Sequence, residues 1–185
     1  MQQRRVCPNA QIASLCDAAG EIPIAADPAH AVTLTQMGTT GAGAGLIAPP
    51  TDCVMDPRGG AGAEAVYKVD VAIPDFDMLV TTDLPGTGMT DTILYVRSEC
   101  PDSGTLVDCN DDIARMNTHS SLEMRDLTMG TYYVFVETYG GLMMGTAPHE
   151  VGVTVRPLIA SGGACDMAEM DNRCQSGTCT GGTCP

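Results

Sequence analysis

Asp91-Thr92-Ile93-Leu94-Tyr95-Val96-Arg97, then Cys100, eight residues, Cys109 and Asn110-Asp111-Asp112, then Ser120-Ser121-Leu122 and Gly130-Thr131-Tyr132-Tyr133-Val134-Phe135-Val136: this stretch decides the fold. Two β-branched and aromatic runs flank a Cys-bounded, acidic loop. Runs of that composition are strands, the cysteines point to a disulfide, and the clustered oxygen donors point to a cation. The expectation is a secreted β-sandwich.

Upstream, Tyr67, Val69, Val71 and Ile73 fall on one face, with Lys68 and Asp70 opposite. That two-residue period is what a half-buried antiparallel strand requires. Residues 31–36 alternate in the same way. Pro74-Asp75 reads as a turn before a strand from Phe76 to Thr82, and Pro85 to Gly88 as a loop. Thr92 to Arg97 is apolar on both faces, as a central strand should be. Ser121 to Leu127 reads as a strand, Gly130 as a turn, and Tyr132 to Thr138 as a further strand. Val151, Val153 and Val155 alternate in the last one. Short strands between turn signals, with little helical periodicity, predict an all-β, antiparallel sandwich.

Four segments follow from composition. Residues 1–30 are a Cys-containing extension, with a short helical turn at Ile12 to Leu15. Residues 31–156 hold the sandwich, interrupted over 38–62 by Gly, Ala, Pro and Thr around Cys53. Residues 157–164 read as a linker. Residues 165–185 have almost no large apolar side chain and must rely on disulfides as a mini-module.

The 185-residue chain carries 23 Asp and Glu against 9 Lys and Arg, a net charge of -14, with Lys68 its one lysine. Nucleic acid needs clustered Lys and Arg, so it is a poor partner, and so are anionic membranes. No run approaches eighteen apolar residues, which excludes a transmembrane helix by sequence. Residues 6–11 do not form the apolar run of a signal peptide. A secreted chain then has its signal removed, or a gene start further upstream.

Nine cysteines favour disulfides and an oxidising compartment over zinc, since no Cys-x-x-Cys pair occurs and the three histidines lie far apart. Cys100 is expected to pair with Cys109, closing a loop of hairpin size. Cys165, Cys174, Cys179 and Cys184 staple the tail in one of three connectivities. Cys7, Cys16 and Cys53 supply one pair and one odd thiol. With Cys7 and Cys16 paired, Cys53 is left free or linked to another chain. The N-terminal segment, residues 1–30, is expected to reach a neighbouring subunit.

The motifs from Asp91 to Val136, with Tyr67 to Ile73 before them, resemble the bacterial pre-peptidase C-terminal domain over residues 30–156. The resemblance implies a jelly-roll-like sandwich that is secreted and attached to extracellular peptidases and other hydrolases. Related collagen-binding domains use calcium. The tail is similar to short Cys-rich modules that follow such domains in bacterial surface proteins. Two departures matter: this chain holds no peptidase, and the insertion around Cys53 is long.

Asp108, Asn110, Asp111 and Asp112 place hard oxygen donors in one turn, and Asp91 is a donor that could converge on them, as is Asp102. Calcium wants six to eight oxygens, so it is the cofactor this cluster suits. The alternative is an Asx-turn, in which Asn110 or Asp111 caps its own backbone. No catalytic residues are expected. Thr118-His119-Ser120 puts its groups on opposite faces of a strand, and no nucleophile elbow or zinc-protease helix occurs. His119 reads as a surface residue. The Met143-Met144 loop reads as a hairpin tip or an adaptable contact surface. Taken together, these features predict a non-catalytic extracellular or cell-surface protein, structural or adhesive, such as a filament subunit. It would associate with itself or with an extracellular protein or polysaccharide. The alternative is an accessory substrate-binding module of a secreted hydrolase.

Overall fold

A computed structural model describes residues 8–25, 27, 30–41, 45–51, 53, 62–139, 146–165, 173–175 and 178–185. These form helix α1 (Pro8–Asp17) and strands β1 (Gly20–Ile22), β2 (Val32–Thr39), β3 (Ala65–Thr81), β4 (Thr92–Arg97), β5 (Leu106–Asn110), β6 (Ser121–Thr138) and β7 (Pro148–Pro157). The strands join in one hydrogen-bonded ladder, β2-β7-β3-β6-β4-β5, with β1 parallel to β3.

The ladder folds over on itself into a sandwich. Val151, Val153 and Val155 of β7 share one apolar cluster with Leu94 and Val96 of β4, although β3 and β6 separate those strands in the ladder. The fold runs through the two long strands. The first half of β3 pairs β1 and the last part of β6, which continues to β4 and β5. The second half of β3 pairs β7 and the first part of β6, and β7 continues to β2. Alternate residues of both layers meet in the core: Val69, Val71, Phe76, Met78, Val80, Leu122, Val134 and Val136 are all nearly inaccessible. Sandwich cores are built this way.

The turns expected at Pro74-Asp75 and at Gly130 prove to be one bend inside two continuous strands. Val71 pairs Gly130, and Asp75 pairs Thr128. The chain thus advances four residues on β3 against two on β6, a bulge that sharpens the local bend. Pro74 has no N–H to give the ladder, and Gly130 has no side chain to pack, so both suit a corner. A second shift, between Phe76 and Met78, coincides with Asp126 in the left-handed backbone region at φ 55°.

A smaller core covers the outer face of β4. Ile47, Val66, Ile93, Tyr95, Cys100 and Phe135 form it, and Ile12, Leu15, Cys16 and Ala19 close it from α1 and the turn after it. Those four positions are the i, i+3, i+4, i+7 stripe of an amphipathic helix. This explains why every residue of β4 is buried.

The disulfides correct two expectations. Cys100 bonds Cys16, and Cys109 bonds Cys53, with Cα separations of 5.8 and 5.7 Å. Cys109 stands opposite Tyr95 inside the β4–β5 ladder, while Cys100 lies three residues past the end of β4. The hairpin therefore holds them at different levels, and a bond needs Cα atoms within about 7 Å. Cys53 is accordingly neither free nor joined to another chain, and Cys16 is not paired with Cys7, which lies outside the described residues. The tail takes the connectivity Cys165–Cys179 and Cys174–Cys184. Four disulfides in one small chain belong to an oxidising compartment, extracellular or periplasmic. No helix among the described residues is long and apolar enough to cross a membrane.

The N-terminal extension is also placed differently from expectation over its described part. Cys16 tethers α1 to the sandwich, and β1 pairs β3 through Gly20–Tyr67, Glu21–Lys68 and Ile22–Val69. These residues pack on their own chain, and residues 1–7 of that segment lie outside the described residues. At the other end, Leu158 N–H donates to Asp75 O at 2.9 Å, and Gln175 Nε2 donates to the Asp75 carboxylate at 2.9 Å. Ile159 N–H donates to Arg173 O, and Gln175 N–H donates to Ile159 O. The expected linker residues Leu158 and Ile159 thus tie the tail to the bend of β3.

Candidate functional site

Antiparallel pairing of β4 and β5 sets Leu94 opposite Asn110, so the residues just before β4 lie beside those just after β5. There Asp91, Asp111 and Asp112 converge, with one carboxylate oxygen of each within 4.8 Å of the others. They line a cleft of about 560 Å³ together with Cys53, Cys109, Asn110 and Tyr139. The Cys53–Cys109 disulfide forms part of its wall.

A buried hydroxyl network holds the two loops in register. Thr82 and Thr92 share a hydrogen bond of 2.7 Å between hydroxyls, and Ser120 N–H donates to Thr82 Oγ1. The Ser120 hydroxyl donates to the Asp111 carbonyl at 2.6 Å and also lies against the Thr92 carbonyl. All three side chains are out of water. Tyr139 N–H donates to Asp91 O at 3.1 Å, fixing the other rim.

The carboxylates are poorly compensated. Asp91 Oδ1 and Asp111 Oδ1 are buried with no hydrogen-bond partner. Burial, and then the charges of Asp112 and Asp91, push the Asp111 carboxyl up to about 6. Burial and Asp112 also raise Asp91, against a smaller opposing pull from His119. An ionised carboxylate that is desolvated and beside like charges is strained electrostatically, and a cation relieves both causes.

The donor set fits calcium. With Ca–O distances of about 2.3–2.6 Å, ligands on opposite sides of the ion lie up to about 5 Å apart, so these three oxygens fit within one coordination sphere. Carboxylates that bind through one or both oxygens would leave room for carbonyls or water to complete six to eight.

Of the residues expected to ligate, Asp91, Asp111 and Asp112 come together. Asn110 lines the cleft, but its amide is engaged: Oδ1 accepts from Ser121 N–H at 3.0 Å, and Nδ2 donates to Asp112 O at 3.2 Å. The Asn110 side-chain oxygen thus reaches across to β6 and does not accept from its own turn, as an Asx-turn would require. Asp108 turns to the backbone, accepting from Cys109 N–H at 2.8 Å, and stands outside the group of three. Asp102 caps a short turn at Gly104 N–H. Tyr139, Cys53 and the Thr82–Thr92–Ser120 network were not expected at the site. No local pattern announces them, because they arrive from four separate segments.

Cys165, Cys174 and Cys184 also converge, but each sulfur is in a disulfide. A metal needs thiolates, so this cluster is not a metal centre. The histidines have other partners. His30 meets Asp27, and His119 bridges Asp83 and the Gly88 carbonyl. The His119 side chain is only 17% exposed, more covered than a surface reading implies. His149 is buried against the Tyr67 hydroxyl at 2.6 Å. The Met143-Met144 loop lies outside the described residues.

No protein-family model matches the sequence, and no curated protein matches it. Solved structures do. PliG of Aeromonas hydrophila, a periplasmic inhibitor of g-type lysozyme, is 14% identical, covering 75% of this chain and 97% of that one at a TM-score of 0.42. The pre-peptidase C-terminal domain of a Bacillus anthracis collagenase is 17% identical, covering 73% and 93% at 0.41. PliG of Salmonella Typhimurium is 9% identical, covering 75% and 100% at 0.36.

Proposed function

We propose that this chain is a non-catalytic structural protein of the cell exterior. It is stapled by disulfides, braced by calcium at Asp91, Asp111 and Asp112, and associates with copies of itself or with another extracellular polymer. One observation carries the reading: three carboxylates share a cleft wall, and two of their oxygens are buried without partners. Such an arrangement is costly for an empty surface turn and natural for a cation-braced one. The ion would join the loop before β4 to the loop after β5, at the rim already held by Cys53–Cys109.

The histidine contacts support a role without catalysis. Among the described residues each histidine contact is with a carboxylate, a carbonyl or a tyrosine, and none is with a serine or cysteine nucleophile. Electron microscopy of the full chain in calcium tests the structural role. Ordered assemblies are expected. Dispersed single particles at every concentration would contradict it.

A further inference from the structure

We propose that two copies join through β2, edge to edge and antiparallel, about a two-fold axis near Thr35 and Gln36. This rests on the self-association proposed above and adds the surface that carries it.

The inference comes from comparing the strand edges. The sandwich leaves four strands paired on one side only among the described residues: β1, β2, β5 and the first part of β6. An open edge is a row of free N–H and C=O groups, and proteins normally guard it by shortness, charge, irregularity or cover. Three of these are guarded. β1 has only three residues. β5 has five, includes Asp108, and is tied to the Cys53 loop by a disulfide. The first part of β6 carries Glu123, Arg125 and Asp126, with left-handed backbone at Asp126. Among the described residues β2 has none of these devices beyond the approach of β1, whose Gly20 lies near the Gln36 side chain. It is eight residues long, Val-Thr-Leu-Thr-Gln-Met-Gly-Thr, with no charge and no proline.

The same strand is suited to a second copy of itself. Its residues alternate between half-buried and exposed, with Thr33, Thr35, Met37 and Thr39 outward. In an antiparallel pair, facing residues share one side of the sheet. A two-fold axis at Thr35 sets Thr33 against Met37, and Leu34 against Gln36. An axis at Gln36 sets Thr33 against Thr39, and Leu34 against Gly38. Either register keeps outward residues opposite outward ones and puts no charge against a charge. That matters in a chain of net charge -14. Most approaches between copies bring like charges together, whereas this edge does not. Isologous pairing of this kind joins two chains and merges two layers into one wider sheet, and the ordered assemblies expected above are then built from such pairs through further contacts.

The test combines light scattering with amide hydrogen exchange on the full chain. The wild-type protein should pass from monomer to dimer with concentration, more readily in salt because net repulsion is screened. The β2 amides should become at least tenfold slower to exchange as the dimer forms. Thr35→Glu should weaken association at least tenfold, since it sets carboxylates at or beside the axis. Its position is exposed in the monomer, so the melt of the dilute variant should match the wild type. A dimer whose β2 amides exchange as in the monomer would overturn the β2 interface and leave self-association standing. A wild-type chain that stays monomeric throughout would overturn both.

Discussion

Tyr95 donates its hydroxyl hydrogen to Glu137 Oε1 at 2.7 Å, with both side chains out of contact with water. The pair lies on the outer face of β4 and β6, beneath α1 and the loop that carries Glu64 and Ile47. Burial is the main reason the Glu137 carboxyl is pushed up to about 9; Glu64 adds to it, while Tyr95 and Arg97 pull the other way. Arg97, itself buried, lies over the Tyr95 and Phe135 rings at 5.1 and 5.2 Å from their centroids. Glu137 therefore holds a proton at neutral pH.

A pH dependence follows from that proton. The folded value lies above the ordinary 4.5, so the folded state binds a proton that the unfolded state releases. The stability this contributes is full below about 4.5 and is lost as pH rises through about 9. Urea unfolding at a series of pH values should show that decline. Glu137→Gln keeps an acceptor for Tyr95 and cannot ionise, so it should flatten the alkaline limb. A variant with the wild-type slope would place the proton elsewhere.

The long-range disulfides should matter more than those of the tail. Cys16–Cys100 spans 84 positions and Cys53–Cys109 spans 56, against 14 and 10 for the tail pairs. On chain entropy, replacing Cys16 and Cys100 together by alanine should cost about 4 kcal/mol in thermal or denaturant unfolding. Peptide mapping without reduction should recover Cys16 linked to Cys100, and Cys53 linked to Cys109. A Cys100–Cys109 peptide would contradict the structure.

Gly38 makes room for a buried polar contact. A Cβ there would collide with the Tyr67 hydroxyl and lie 2.9 Å from His149 Nε2, the two groups that share a hydrogen bond. Gly38→Ala should destabilise the fold by about 1–3 kcal/mol through overpacking and loss of that bond. Burial lowers the His149 value, so the neutral ring contributes stability above its ordinary 6.5 that is lost as pH falls. A melting temperature equal to wild type would show that the ring pair moves aside freely.

Much of the sandwich was legible because its strands alternate cleanly. Tyr67 to Ile73 and Val151 to Val155 needed only the two-residue period, and both are strands of the core. Pro74 and Gly130 were legible as interruptions but not as one bend, since their meeting at a single bulge is a fact of pairing between distant strands. Cysteine pairing was illegible for the same reason: equal spacing along the chain says nothing about distance across a folded sheet. At the site, the acidic turn after Cys109 was visible, and Asp91 was named as a partner. Which of its oxygens remain free was not visible, because that depends on Ser121, Cys109 and Ser120 taking up the neighbours. The Glu137–Tyr95–Arg97 cluster was missed, as charged residues within an apolar run carry no mark of burial.

Calcium dependence of the melting temperature tests the central claim most directly. The wild-type chain at pH 7.5 should melt higher in calcium than in chelator, with the gain growing with the logarithm of calcium concentration. Magnesium should substitute poorly, because its strict octahedral demand keeps it hydrated. Asp111→Asn should abolish the calcium shift while leaving a folded protein in chelator. The wild-type shift should also shrink below about pH 6, where Asp111 takes up its proton. Equal melting of the wild type in excess calcium and in chelator would contradict a cation-braced cleft.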